Sequence, residues 1–110
     1  MHEIKIKHLS VNNAWKGRRF KTTAYHQYDM YLSYLLPFIL LPEGKLKVSI
    51  LFGVSSAGSD IDNPLKPFLD ILSKKYKFND NLIYELNIKK EVVKKREEFI
   101  KFKIESYGKN

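Results

Sequence analysis

The sequence predicts a single α+β domain, a small mixed β-sheet with two helices in the order β-α-β-α-β-β. Two observations support this class. Four segments alternate apolar and polar residues with a period of two, which is typical of strands, and two segments repeat apolar residues at helical spacing. The 110 residues are 44% hydrophobic and contain no repeat or linker, which fits one domain over residues 1–110.

The first half of the chain predicts two strands around one helix. Residues 3–9 (EIKIKHL) alternate as a strand does, and residues 10–21 are polar and basic, as in a loop. Apolar residues then recur at helical spacing, with Thr22 or Thr23 as the cap and an end near Leu36, before a proline. Residues 45–54 alternate again, and one face is rich in β-branched and aromatic residues, which predicts a second strand.

The second half predicts one helix and two strands. The helix is expected to begin at Pro64, with Asn63 or Asp62 as its cap. Residues 82–90 and 99–105 alternate as strands and are joined by a charged turn. We expect both helices on one face of the sheet, right-handed crossovers, and a hairpin between the last two strands.

The composition is basic and lacks cysteine. The chain carries 20 Lys and Arg against 12 Asp and Glu, a net charge of +8, so a polyanion is the first partner to consider. A lysine surplus without a functional role is the alternative. The absence of cysteine excludes disulfides and thiolate metal sites and favours a reducing cytoplasm. The longest apolar run, residues 34–42, is too short to span a bilayer, so we expect no membrane partner.

Basic residues concentrate in the 10–21 loop and near the end of the second helix. The loop mixes cationic side chains with one tryptophan, which suits a segment that grips phosphates or closes over DNA. A solvated loop and a solvated helix face are the alternatives. The candidate DNA-binding residues are Asn13, Trp15, Lys16, Arg18, Arg19, Lys21, Lys74 and Lys75.

Against this basic background, residues 58–70 (GSDIDNPLKPFLD) concentrate negative charge. If the chain enters the helix in extended form, the side chains of Asp60 and Asp62 point the same way. Lys66 lies four residues after Asp62 and shares a ridge of the helix with it. The alternative is structural: aspartates commonly cap helices, and Asp62–Lys66 would then be an ordinary surface pair.

Asp80 supplies a third carboxylate, just before the next predicted strand. If that strand lies beside the preceding one, we expect Asp80 at the same end of the sheet as Asp60 and Asp62. Three carboxylates without histidine or cysteine make an oxygen-only site, which Mg²⁺ prefers, with Mn²⁺ as an alternative. A metal held there within a basic surface would act on a phosphodiester, with Lys66 stabilising the charge on the phosphoryl group.

At these residues the chain resembles the RusA family of Holliday-junction resolvases. The segment DIDNPLKPFLDIL (60–72) matches the family pattern D-[LIV]-D-N-x-x-K-x-x-x-D-x-L, and FNDNLI (78–83) matches [DN]-D-x-x-[IV]. The segment LSVNNAWKGRRF (9–20) resembles the opening S-x-N-x motif and its basic loop. The loop before Asp60 lacks the basic residues common in the family, and Asn79 stands where a second acid is common.

The resemblance implies a RusA-like fold and a small homodimeric endonuclease that nicks four-way DNA junctions symmetrically and depends on Mg²⁺. It implies catalytic acids at Asp60, Asp62 and Asp80, a catalytic lysine at Lys66, and a bacterial or phage-encoded origin. A two-fold dimer would offer two equivalent sites to a pseudo-two-fold junction, with the apolar residues 38–42 as a candidate dimer patch. The rivals are a non-catalytic DNA-binding protein and a nuclease for flaps or other branched DNA.

Overall fold

The fold is an α+β domain in which a four-stranded mixed sheet carries its helices on one face. The computed structural model describes residues 1–17 and 20–108. A two-stranded ribbon stands apart from the main sheet. The elements in chain order are β1 (His2–Ile4), α1 (Val11–Ala14), β2 (Trp15–Lys16), β3 (Phe20–Lys21), α2 (Thr23–Leu35), β4 (Leu46–Val54), α3 (Leu65–Tyr76), β5 (Ile83–Val92) and β6 (Phe99–Ser106).

The main sheet has the strand order β1-β6-β4-β5. The central strand β4 pairs in parallel with β5 and antiparallel with β6, and β1 pairs antiparallel with β6. The predicted hairpin between the last two strands is therefore wrong, because β4 lies between them. The chain crosses the end of β4 instead, where the Val93 N–H donates to the Val54 carbonyl at 2.7 Å. This order pairs β4 on both sides, as its mostly buried apolar sequence requires.

The hydrophobic core lies between one face of this sheet and helices α2 and α3, which confirms the prediction that the helices share a face. Phe68 on α3 is fully buried and meets Phe52 and Phe102 edge-on, with ring centroids 5.9 Å away in both cases. Such edge-to-face contacts contribute about 0.5–1.5 kcal/mol beyond simple burial. The other buried residues of this cluster include Ile4, Tyr25, Tyr28, Leu32, Leu36, Val48, Ile50, Val54, Ile71, Leu72 and Ile100.

Helix α2 begins and ends as its sequence predicts. The Thr22 hydroxyl oxygen accepts the Tyr25 N–H at 3.1 Å and caps the helix. The helix ends at Leu35, ahead of Pro37, because the residue before a proline is disfavoured in helical conformation. On the core-facing side of this helix Leu32 is buried, whereas its neighbour Tyr31 is 59% exposed.

The N-terminal segment is more irregular than its alternation predicts. The first strand covers only His2–Ile4 rather than residues 3–9. The predicted 10–21 loop contains α1 and the β2–β3 ribbon. The Ser10 hydroxyl oxygen caps α1 by accepting the Asn12 N–H. None of the helices in the described part of the chain is long and apolar enough to cross a bilayer.

Candidate functional site

Several loops meet at the end of the sheet where β4 stops. The segment that follows β4, residues 55–64, is here called the acid loop because it carries Asp60 and Asp62. Residues 7–10 and α1 lie beside it, and the Val11 N–H donates to the Asn63 carbonyl at 2.9 Å. An open, largely polar cleft of about 430 Å³ lies at this end of the sheet. It is lined by Lys7, His8, Leu9, Ser10, Asn13, Ser55, Ser56 and Ser59.

The two aspartates of the acid loop are solvent-exposed, and the backbone around them turns rather than extends. The Asn63 N–H donates to the Asp60 carbonyl at 3.2 Å, and the Leu65 N–H donates to the Asp62 carbonyl at 3.1 Å. The extended entry that would have aligned their side chains is therefore not present. Helix α3 begins at Leu65 with no side-chain cap, so the expected capping role of Asp62 or Asn63 is also wrong.

A lysine of β5 fixes the acid loop against the sheet. The Lys90 ammonium donates to the carbonyls of Ala57 at 3.2 Å and Ser59 at 2.7 Å. Because both acceptors are main-chain groups, the contact positions the loop backbone and leaves the neighbouring carboxylates free to face solvent. The loop that bears Asp60 is therefore anchored at the carboxyl end of β5.

Lys66 lies in the first turn of α3, on the exposed side of the helix. Its ammonium is 3.5 Å from Asp70 Oδ1 and 5.5 Å from the centroid of the Trp15 ring. Within the described residues its ion pair is with Asp70 and not with Asp62. The contact with Trp15 places the β2–β3 ribbon beside the catalytic-lysine candidate.

Asp80 lies at the opposite end of the sheet from Asp60 and Asp62. It begins a single 3₁₀ turn that leads into β5, and the first residue of β5, Ile83, pairs with Leu46 at the start of β4. From Ile83 to Lys90, which holds the acid loop, the strand advances about 23 Å at roughly 3.3 Å per residue. One cation cannot bridge that distance.

The expectation that Asp80 reaches the same end of the sheet is therefore wrong for a single chain. In a parallel pair, the residues before one strand lie beside the start of its neighbour, whereas Asp60 and Asp62 follow the end of β4. Among the described residues, no group of three or more histidine, aspartate or glutamate side chains could hold a metal ion. The three carboxylates of one chain do not fit a single Mg²⁺ site.

The described ribbon candidates lie at the acid-loop end of the sheet. Trp15 packs on Tyr25 with ring centroids 5.4 Å apart, and the Lys21 ammonium stands 4.6 Å from the Tyr25 ring centroid. Lys16 is exposed on the ribbon, and Asn13 lines the polar cleft. The remaining two candidates, Arg18 and Arg19, lie outside the described residues.

The two lysines toward the end of α3 are engaged elsewhere. Lys74 forms an ion pair with Asp29 on α2, and the Lys75 ammonium donates to the Ser33 carbonyl at 2.9 Å. Lys74 lies eight residues beyond Lys66, about 12 Å along the helix axis. Lys74 and Lys75 therefore belong to the α2–α3 contact rather than to the basic surface near the acid loop.

Two titratable residues at this end were not predicted from the sequence. Glu98 is buried, with 8% of its surface exposed, and accepts the Ser55 hydroxyl at 2.8 Å. Hydrogen bonds from its own backbone N–H and from Ser55 lower the pKa of Glu98. Burial lowers the pKa of His8, and Lys7 acts in the same direction while Glu98 opposes it. No local signal marks either residue, because Glu98 ends a charged run and His8 belongs to no motif.

The comparisons with known proteins leave the family unassigned. A scan against protein-family models finds no match, and a search of curated proteins finds no significantly similar relative. The resemblance to RusA resolvases therefore stays a prediction that depends on three short motifs in this chain.

Proposed function

We propose that this protein is a Mg²⁺-dependent, structure-selective DNA endonuclease that resolves Holliday junctions by paired symmetric nicks, as a homodimer in a bacterial or phage-infected cytoplasm. The observation that carries the proposal is the placement of two exposed carboxylates, Asp60 and Asp62, within a surface of cationic side chains. That surface contains Lys7, Lys16, Lys21, Lys66 and Lys90 at the same end of the sheet.

The charge distribution favours a cation-dependent reaction on a polyanion. A net charge of +8 attracts the DNA backbone. The negative charges of Asp60 and Asp62 repel phosphates locally, and a bound divalent cation would neutralise those charges. Bound there, Mg²⁺ would supply a water of lowered pKa and neutralise charge on the leaving oxygen. Lys66, with its ammonium exposed beside the ribbon, would stabilise negative charge on the phosphoryl group.

The ribbon and the cleft suit the binding of the DNA backbone. Trp15 and Lys21 are both held on Tyr25, and the Lys66 ammonium stands over the Trp15 ring, so the ribbon is preorganised beside Lys66. Asn13 and the serines of the polar cleft offer neutral hydrogen-bond donors to phosphate oxygens. Contacts of this kind position a duplex without selecting its sequence, which suits recognition of a branched structure.

The separation of Asp80 from Asp60 and Asp62 favours a rival function. A non-catalytic DNA-binding protein needs no metal site, and one chain brings only Asp60 and Asp62 to the acid-loop end. This rival predicts that no divalent metal produces nicks and that Asp62→Asn alters only the stability of the protein. A nuclease for flaps or other branched DNA predicts nicks, but on a different preferred substrate.

Cleavage of defined branched substrates tests the proposal. The wild-type protein is incubated with a fixed four-way junction, a flap and a plain duplex, with Mg²⁺, with Mn²⁺ or with EDTA. We expect paired nicks in the junction with either metal and none with EDTA. Asp62→Asn should abolish the nicks and retain junction binding, whereas Glu43→Gln, which neutralises an exposed carboxylate ahead of β4, should cleave normally. An absence of nicks with both metals would overturn the proposal.

A further inference from the structure

An exposed apolar segment follows α2. Residues 37–42 belong to no helix or strand, and their side chains alternate between solvent and core as in an extended chain. Phe38 and Leu40 are each 85% exposed, whereas Ile39 packs against the core. Large apolar side chains that cluster at the surface mark sites of interaction with other molecules.

A groove runs between this segment and the end of α3. It has a volume of about 360 Å³ and is lined by residues 36–41 on one side and by Lys75, Tyr76 and Lys77 on the other. The Tyr76 hydroxyl donates to the Pro37 carbonyl at 2.6 Å, which fixes the segment to the helix. The groove is therefore formed by the fold itself.

The backbone of residues 38–41 is unpaired. Within the described residues, the N–H and C=O groups of these four positions make no backbone hydrogen bond, and the flanking Pro37 and Pro42 have no N–H to donate. A segment with free main-chain groups and alternating side chains can pair with an added strand. The hydrocarbon region of a membrane would leave the same groups unsatisfied. A peptide therefore fits this segment better than a lipid surface does.

The charge of the groove favours an acidic partner. The charged residues that line it are Lys75 and Lys77, and neither forms an ion pair with a carboxylate of the described residues. The Lys75 ammonium donates to the Ser33 carbonyl at 2.9 Å and keeps its other donors for a ligand. Two copies of this groove facing each other would set lysines against lysines, which is repulsive.

We propose that the groove binds an extended segment of another protein in which apolar residues are flanked by aspartate or glutamate. The segment pairs its main chain with residues 38–41, packs apolar side chains on Phe38 and Leu40, and sets its carboxylates against the two lysines. Lys77 lies about 16 Å along the helix axis from Lys66, so a partner bound here leaves the acid loop open. The inference is independent of the proposed nuclease activity.

Binding of a designed peptide tests the proposal. The probe is a fluorescein-labelled peptide with alternating leucine and phenylalanine at its centre and paired aspartates at each end. By fluorescence anisotropy we expect a dissociation constant of about 10–100 µM at low salt, weakened several-fold in about 0.5 M NaCl. The same peptide with lysines in place of its aspartates should not bind. No binding of the acidic peptide at millimolar protein, or equal binding of the two peptides, would overturn the proposal.

Two variants test whether the peptide lies in the groove. Leu40→Ser should raise the dissociation constant about 10-fold, because the apolar contact is lost. Lys77→Gly should raise it about 3-fold at low salt and leave it unchanged at high salt. The matched control is Phe20→Ser, which removes a side chain that is 70% exposed on the β2–β3 ribbon and should bind the peptide normally. Unchanged binding in Leu40→Ser, or an equal loss in Phe20→Ser, would overturn the location.

Amide hydrogen exchange tests the pairing of main chains. In the free protein the amides of residues 38–41 should exchange quickly, and saturation with the acidic peptide should slow them about 10-fold or more. A peptide that is N-methylated at alternate central residues should bind weakly and give no such protection. Unchanged exchange in the presence of bound peptide would refute strand addition.

Three other occupants of the groove are distinguished in the same series. Binding of phosphatidylserine vesicles that Leu40→Ser abolishes would assign the groove to a lipid surface, and displacement of the peptide by plain duplex DNA would assign it to nucleic acid. Sedimentation velocity of Leu40→Ser tests the dimer patch expected at residues 38–42: we predict the wild-type oligomeric state. A dimeric wild type with a monomeric Leu40→Ser would assign the groove to a second copy. Each of these three results would overturn the proposal.

Discussion

Gly53, near the end of β4, lies directly under the ring of Phe99, the first residue of β6, and enlarging it should loosen the pairing of these two inner strands. A Cβ built on Gly53 would lie 2.4 Å from two ring carbons of Phe99 and 2.9 Å from a third. The ring is 8% exposed, and the ammonium groups of Lys101 and Lys5 stand 5.2 and 5.8 Å from its centroid. In Gly53→Ala the ring must rotate out of this position or the two strands must separate.

The expected cost of Gly53→Ala follows from this clash. Overpacking of a well-filled site costs about 1–3 kcal/mol, and in a domain of this size each kcal/mol lowers Tm by roughly 4–8 °C. Urea unfolding followed by circular dichroism measures the free energy of unfolding. In the double variant with Phe99→Ala the Gly53→Ala penalty should largely disappear, giving a coupling energy of about 1–3 kcal/mol.

Gly58→Ala is the matched control, because the nearest heavy atom to its added Cβ is the Ser56 hydroxyl oxygen at 3.8 Å. It should change the free energy of unfolding by less than about 0.5 kcal/mol. If Gly53→Ala proves as neutral as this control, or if its effect adds to that of Phe99→Ala without coupling, the packing of β4 against β6 is not as described.

Three further changes test other parts of the structure. Lys77 ends α3 with φ 56° and ψ 51°, so Lys77→Gly should raise the free energy of unfolding by about 0.5–1 kcal/mol in urea titrations. Burial lowers the pKa of His8, so the unfolded chain binds more protons just below pH 6.5. Stability should therefore fall as the pH drops through that range, and His8→Asn should flatten the measured profile. Lys90→Met removes the ammonium that holds the acid loop, so hydrogen exchange at residues 57–62 should accelerate while global stability changes by less than about 1 kcal/mol.

The periodicity of the sequence predicted which segments form the main helices and strands. It predicted the α2 cap at Thr22 or Thr23, of which Thr22 is the cap, and the buried face of β4, because both depend on contacts within a few residues. It did not predict the neighbours of each strand. Alternation determines which face of β6 is buried, but the choice of β4 over β5 as its partner depends on how the whole sheet buries β4.

The candidate site shows the same division between local and long-range information. The motif around residues 60–70 brings Asp60, Asp62 and Lys66 to one end of the sheet because all three belong to one continuous segment. The sequence does not show at which end Asp80 lies, because that depends on the relative direction of two neighbouring strands; in the parallel β4–β5 pair, the residues before β5 lie beside the start of β4. Glu98 meets Ser55 across 43 positions of sequence, so a local pattern carries no information about that contact.

Junction cleavage is the measurement that addresses the central claim most directly. Purified wild-type protein, a fixed four-way junction labelled on each strand in turn, and Mg²⁺ should give symmetric nicks in two opposed strands. Asp62→Asn should give none while it still shifts the junction in a binding assay. An intact junction after incubation with wild-type protein in Mg²⁺ or Mn²⁺, at protein concentrations that saturate binding, would contradict the account and favour a DNA-binding protein without catalysis.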